Sequence, residues 1–319
     1  DYAEARSNLA AVLYLLKRYR ESIKQAEKAL ALNPNLAEAH LSIGNSLRAD
    51  DRIDEALAAI DRAIQLQPGL SAGYILAGKM LMRGAYIQQA IPYLEKAIML
   101  EPDVPALRFR LASCLHLMGN YAQAETIARE GFSRLSEKMT LDDEISIGDY
   151  LLEVDDYEQA MVHFQRALKL DPECPIIGYA RVLEIAGRFD EALQHIDHML
   201  DLTPAYEKPR INKALLLLAI KRFGDGWPAW ESRFSEKILL AKPRSYSAPR
   251  WDGRPLAGTL TIWGEQGLGD QILYASMIPD AMKDTERVIL EVEPRLMPLF
   301  ARSFPNAEVR SFLEDPAAI

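Results

Sequence analysis

Prolines recur at Pro34, Pro68 and Pro102, at intervals of 34 residues, and again at Pro172 and Pro204. The step from Pro102 to Pro172 is 70 residues, two periods plus two, and the next is 32. Self-similarity at such a period marks an array of helical repeats and overrides any local reading. Each proline closes a helical run such as Lys28-Ala-Leu-Ala-Leu-Asn-Pro34. Proline has no amide to donate and cannot continue a helix, so it ends one helix and sets the turn into the next. On this ruler, units begin near Ala3, Ala37, Ser71, Pro105, Leu141, Glu173 and Glu207.

Helices that pair closely need small residues where they touch. Three positions per unit supply them: Ala10, Ser22 and Ala29 in the first, then Gly44, Ala56, Ala63; Gly78, Ala90, Ala97; Ala112, Ala124, Gly131; and Gly148, Ala160, Ala167. The last two units give Ala180, Ala192, Met199 and Ala214, Gly226, Arg233, so only Met199 and Arg233 are not Ala, Gly or Ser. The turn inside each pair carries an aromatic or aliphatic plug: Tyr19, Ile53, Ile87, Tyr121, Tyr157, Phe189 and Phe223. The fourth unit lacks its closing proline and runs into Ser133–Thr140, read as a lengthened helix or a loop.

These positions resemble the tetratricopeptide repeat family from residue 3 to about 234. The resemblance implies an all-α superhelix over residues 1–234, with the first helix of each pair on the concave face. Repeat position then places Asn8, Asn45, Lys79, Arg83, Arg110, His116, Asp149 and Arg181 there. Asn45, Lys79, Arg83 and Arg110 form a polar, positively charged stripe suited to the carboxylates or backbone of an extended peptide, with an ordinary solvated surface as the plainer reading. The order does not reproduce the Lys–Asn–Asn–Lys–Arg clamp of chaperone-binding members. In the series Asn8, Ser42, Leu76, Arg110, Ser146, Gly178, Asn212, only the first and last match the asparagine ladder of the eukaryotic O-linked N-acetylglucosamine transferase.

The periodicity stops after Phe234. Residues 235–258, with Pro243, Pro249 and Pro255, read as a linker in which Trp251 packs against a domain or stacks on a sugar. Residues 259–319 follow a different grammar. Strand Thr259–Trp263, glycine-rich loop Gly264–Asp270, helix Gln271–Met282, strand Arg287–Val292, helix Pro294–Arg302 and strand Ala307–Arg310 predict a partial α/β Rossmann-like domain with a parallel sheet. The loop after its first strand lies at the carboxyl edge, where such folds place ligands. Glycines at 264, 267 and 269 do not make a dinucleotide fingerprint, and no phosphate-binding Gly-Lys-Ser follows.

Gly269-Asp270 opening a helix, with Pro279 following, resembles the N-terminal loop of heptosyltransferase-type glycosyltransferases. With Trp251-Asp-Gly and Gly226–Phe234 upstream, residues 227–319 are similar to bacterial fusions of tetratricopeptide arrays to such transferases. The resemblance implies an inverting transfer in which Asp270 accepts the proton of the attacking hydroxyl, although Asp also suits a helix cap. Gly267 and Gly269 would let the acceptor approach, while Glu265 and Gln266 complete the acceptor loop. A nucleotide-sugar donor would be held by a second domain of roughly 200 further residues, so this chain is expected to hold no cofactor and to be inactive alone. The other readings are an interaction scaffold with a degenerate α/β cap, or a nucleotide-binding regulator.

Composition sets limits on partners. A net charge of −9 argues against coating nucleic acid, which needs a basic surface. No apolar run approaches the roughly 20 residues of a membrane span. Cys114 and Cys174 have no metal-ligand spacing, and His195 with His198 on an outer helix reads as solvated rather than metal-binding. A reducing cytoplasm is the expected setting, and the opening Asp1-Tyr-Ala-Glu reads as an excerpt of a longer chain.

Overall fold

A computed structural model of the protein describes residues 2–49, 52–83, 86–203, 208–234, 246, 248–265 and 267–311. The chain divides into two compact units, Asp1–Trp230 and Glu231–Ile319.

The first unit is built of helix pairs: α1 (Ala3–Leu15) with α2 (Tyr19–Leu32), α3 (Ala37–Ala49) with α4 (Ile53–Leu66), α5 (Ser71–Arg83) with α6 (Ile87–Leu100), and α7 (Pro105–Leu117) with α8 (Tyr121–Phe132). After these come α9 (Leu141–Glu153) with α10 (Tyr157–Leu170), α11 (Ile177–Ile185) with α12 (Phe189–Leu202), and α13 (Lys208–Ala219) with α14 (Phe223–Trp230). Every plug residue is the first residue of a second helix. The first helices begin where the small-residue ruler put them through Leu141. The sixth starts later, at Ile177, because Pro175 disfavours the helical region for the residue before it. Residues 133–140 form a loop, not a lengthened helix, and Thr140 with Asp143 closes it by a reciprocal capping box.

One turn geometry is used within the pairs. The amides of Arg18, Arg52, Tyr86, Asn120, Asp156, Arg188 and Arg222 reach back to the carbonyls of Leu13, Leu47, Leu81, Leu115, Leu151, Leu183 and Leu217 at 2.8–3.0 Å. This six-to-one bond needs a left-handed residue before its donor. Lys17 (φ 59°), Gly119 (80°), Asp155 (63°), Gly187 (72°) and Lys221 (64°) take that conformation. Four second helices then open on an arginine paired three residues on: Arg18–Glu21, Arg52–Glu55, Arg188–Glu191 and Arg222–Asp225.

The small positions are buried contacts, as close pairing requires. A Cβ at Gly44 would lie 2.5 Å from Ile60 Cγ1, and one at Gly148 2.5 Å from Phe164 Cε1. The core passes along the array from Ala10, Ala26 and Ala29 to Ile60 and Met80, then to Leu94 and Leu111. It continues through Phe109, Ile147 and Phe164 to Leu183, Ile196 and Leu216. Helix α7 is buried nearly all round, including Arg108 and Arg110.

The second unit holds a three-stranded parallel sheet in chain order, β1 (Leu256–Trp263), β2 (Thr285–Val292) and β3 (Glu308–Ser311). Thr261 pairs with Ile289, and Ile289 with Glu308. Helices α15 (Leu268–Tyr274), α16 (Ile278–Lys283) and α17 (Met297–Ser303) connect the strands. β1 starts at Leu256, three residues before the expected strand. Leu260, Ile278, Val288, Leu290, Leu296 and Phe300 make the core, with Trp251 packed against it and its indole N–H donating to the Arg254 carbonyl at 2.7 Å.

Candidate functional site

First helices of neighbouring pairs pack on one another, α1 on α3, α3 on α5, α7 on α9 and α9 on α11, and the tetratricopeptide resemblance implies that their free faces line one concave groove. The charges on that face show the convergence directly. Lys79 Nζ on α5 donates to Asp142 Oδ1 at 2.7 Å, while Arg110 on α7 donates to Oδ2 at 2.8 Å and Oδ1 at 2.6 Å. A carboxylate at the start of α9 is thus held from both preceding pairs. Burial alone would raise the Asp142 pKa, but Arg110 and then Lys79 outweigh it and hold the group at about 2. Burial, with Arg110 nearby, lowers Lys79. Upstream, Arg48 Nη2 on α3 donates to the Tyr14 hydroxyl of α1 at 2.9 Å.

The stripe of Asn45, Lys79, Arg83 and Arg110 therefore differs from an open positive surface. Lys79 and Arg110 are engaged by Asp142, an acid absent from the sequence-based stripe. Asn45 is half-buried with no hydrogen bond among the described residues, and the side chain of Arg83 lies outside them. Asn8 and Arg181 are exposed, Arg181 pairing with Glu184 at 3.1 Å. His116 packs edge-on against Tyr121. Farther along α9, Asp149 accepts no hydrogen bond from any described residue. A strip of its surface still touches water, yet protein surrounds it closely enough that burial pushes its pKa up to about 7, against the pull of Arg110; Glu153 and Asp142 push the same way. Burial raises Glu153 as well. The groove is basic towards α3, α5 and α7, and acidic along α9.

In the second unit, the loop after β1 is organised by side chains from elsewhere. Arg233 grips Glu265 through two bonds, Nε to Oε1 at 2.6 Å and Nη2 to Oε2 at 3.1 Å, and lies 4.0 Å over the Phe234 ring. Arg233, one of the two residues that broke the small-residue rule, is thus the partner of the loop acid. The buried Gln271 accepts from the Glu293 amide at 3.1 Å; its side chain fills the space beside Gly264, where a Cβ would come within 2.4 Å. Asp270 sits in the first turn of α15, half-buried, with no hydrogen bond among the described residues. The cap position belongs to Gly267, so Asp270 is not the N-cap of its helix. Gly267 and Gly269 are exposed, and a Cβ at Gly269 would meet nothing within 4 Å. Gln266 lies outside the described residues.

The outer-helix histidines do not act together. His195 Nε2 donates to the Ile176 carbonyl at 2.9 Å and its ring packs on Tyr179, while His198 is exposed and Asp197 pairs with Lys213 at 2.5 Å. Among the described residues no group of three His, Cys, Asp or Glu could hold a metal ion, and no helix is long and apolar enough to cross a membrane.

The helix pairs, turns and small contacts define a tetratricopeptide superhelix. Residues 3–36, 87–132 and 145–207 match tetratricopeptide repeat families. Over 178 residues the chain is 35% identical to Protein FlbA of Caulobacter vibrioides, a match covering 51% of this chain and 29% of that protein. The chain therefore spans less than a third of that relative's length. Among solved structures, human IFIT1 in a dimer with PPP-AAAA aligns at 14% identity and TM-score 0.53, covering 74% of this chain and 59% of its own. The Cut9–Hcn1 hetero-tetramer of APC/C aligns at 16% and 0.51, covering 68% and 43%. Both likenesses speak to the fold alone.

Proposed function

We propose that the array recruits an extended segment of a partner protein into the groove lined by α3, α5, α7 and α9. The observation that carries this reading is the Lys79–Asp142–Arg110 bridge. It fixes a polar floor of known charge order, so a guest's backbone and side chains meet groups already ordered. Panning the chain against a random dodecapeptide library on phage tests it. Clones retained by the wild type and lost when Asn45→Trp obstructs the floor support the reading; clones indifferent to Asn45→Trp remove it.

We further propose that the α/β unit belongs to a glycosyltransferase in the longer protein, with the array presenting the acceptor. Asp270 favours this: a half-buried carboxylate, unpaired among the described residues, beside an open glycine loop at the carboxyl edge of a parallel sheet. The acceptor hydroxyl would give its proton to Asp270 as its oxygen bonds to the anomeric carbon. The bond from that carbon to the nucleoside diphosphate breaks, and its electron pair leaves with the diphosphate. Glu265, anchored by Arg233, would orient the acceptor, and the nucleotide sugar would be held by a domain outside this chain. Two unpaired thiols, Cys114 and Cys174, suit a reducing cytoplasm. Release of nucleoside diphosphate by the longer protein is the assay. Asp270→Asn should cut the rate by roughly 10²–10⁴-fold, and an undiminished rate would exclude Asp270 as the base.

A further inference from the structure

Asp142, Ser146, Asp149 and Glu153 form one stripe along α9, because residues four and three apart share a helix face. Their situations differ. Asp142 is saturated by Lys79 and Arg110, and the Ser146 hydroxyl donates to the Asp142 carbonyl at 2.5 Å. Asp149 and Glu153, both half-buried on that face, have no hydrogen bond or ion pair from any described residue. We propose that this acidic end of the groove holds the lysine or arginine side chain of a partner's extended segment, with Asp149 as its principal contact and Glu153 beside it.

Three observations support the assignment, which rests on the groove reading above. The cation whose field reaches Asp149 most strongly, Arg110, already gives both terminal nitrogens to Asp142, so it cannot also saturate Asp149. The other cation felt there, Lys208 at the start of α13, is exposed and forms no ion pair among the described residues. Next, α11 approaches the carboxylate at Gly178, where an added Cβ would lie 2.6 Å from Phe164 Cζ and 2.9 Å from Asp149 Oδ1, so this position sends no side chain between α11 and Asp149. Finally, a deeply set carboxylate without a donor is costly, and the cost is relieved by a charge-assisted bond from a guest ammonium or guanidinium. An acidic guest would instead meet Asp142, Asp149 and Glu153 together. The positive stripe read from the sequence pointed to the opposite partner chemistry.

The composition of the peptides retained in the phage experiment tests this separately from groove binding. Wild-type chain should enrich Lys or Arg at a shared position about fivefold over the library, and a synthetic peptide with that residue changed to norleucine should bind about tenfold more weakly. Asp149→Asn, nearly isosteric, should abolish the enrichment while keeping the helical circular dichroism. Glu153→Gln should reduce it, and Glu95→Gln on the exposed face of α6 should leave it unchanged. Groove-dependent peptides without basic enrichment, or a norleucine peptide that binds as well, would overturn the proposal and leave the groove reading standing. Recovery of no clone sensitive to Asn45→Trp would overturn both.

Discussion

Two carboxylates on one helix face carry opposite signs in the stability of this protein. Asp142 has a folded pKa of about 2, below its ordinary 3.8. Its contribution is present above about pH 4 and is lost as pH falls towards 2. Asp142→Ala leaves Lys79 and Arg110 without their shared partner and should destabilise by ~1–3 kcal/mol at pH 7, read from urea denaturation, with a shallower acid limb. Asp149 has a folded pKa of about 7, above its ordinary 3.8. Between those values the folded chain holds a proton that the unfolded chain has released, so stability declines as pH rises through that window. Asp149→Asn removes the penalty. It should leave stability unchanged at pH 4 and raise it at pH 8 by roughly 2 kcal/mol, about half the face value of the shift because the side chain still touches water. An acid that costs the fold stability at neutral pH is consistent with the binding role proposed for it. Neither role was legible in the sequence. Asp142 finds its partners 32 and 63 residues away, beyond any local spacing rule, and Arg233 meets Glu265 across 32 residues and a change of fold class.

At the level of elements much more was legible, because each helix pair solves the same packing problem with the same residues. The plug residues Tyr19 to Phe223 start every second helix, and the small positions fall at buried contacts. The recurring leucine carbonyl of the turns was present but hidden, since leucine is common wherever a helix is buried. The turn also needs a left-handed residue, which glycine supplies at Gly119 and Gly187 and lysine at Lys17 and Lys221. Lys221→Gly should stabilise the protein by ~0.5–1 kcal/mol, and Gly187→Ala should destabilise it by a similar amount; thermal melts of the two variants moving the same way would contradict this account. Gly148→Ala tests the close contacts. Helix propensity alone favours alanine by about 1 kcal/mol, but the methyl meets the buried Phe164 ring at 2.5 Å. Overpacking should win, for a net loss of ~1–2 kcal/mol.

Across the whole molecule, repeats stabilise one another chiefly through neighbour interfaces. The loop at residues 133–140 interrupts the regular spacing at mid-array, yet α9 still packs firmly on α7. Phe109 on α7 and Phe164 on α10 share one core cluster across this break. The interruption was visible as a missing proline, but its outcome was not, because the sequence did not reveal that Asp142 and Asp143 on the far side would bond back to Arg110 and the Ala106 amide. Helix α7, enclosed on nearly every side, therefore acts as the keystone of the array. Its amides should exchange with deuterium more slowly than those of any other described helix, so the side chains it holds against Asp142 would stay in place while less enclosed helices open.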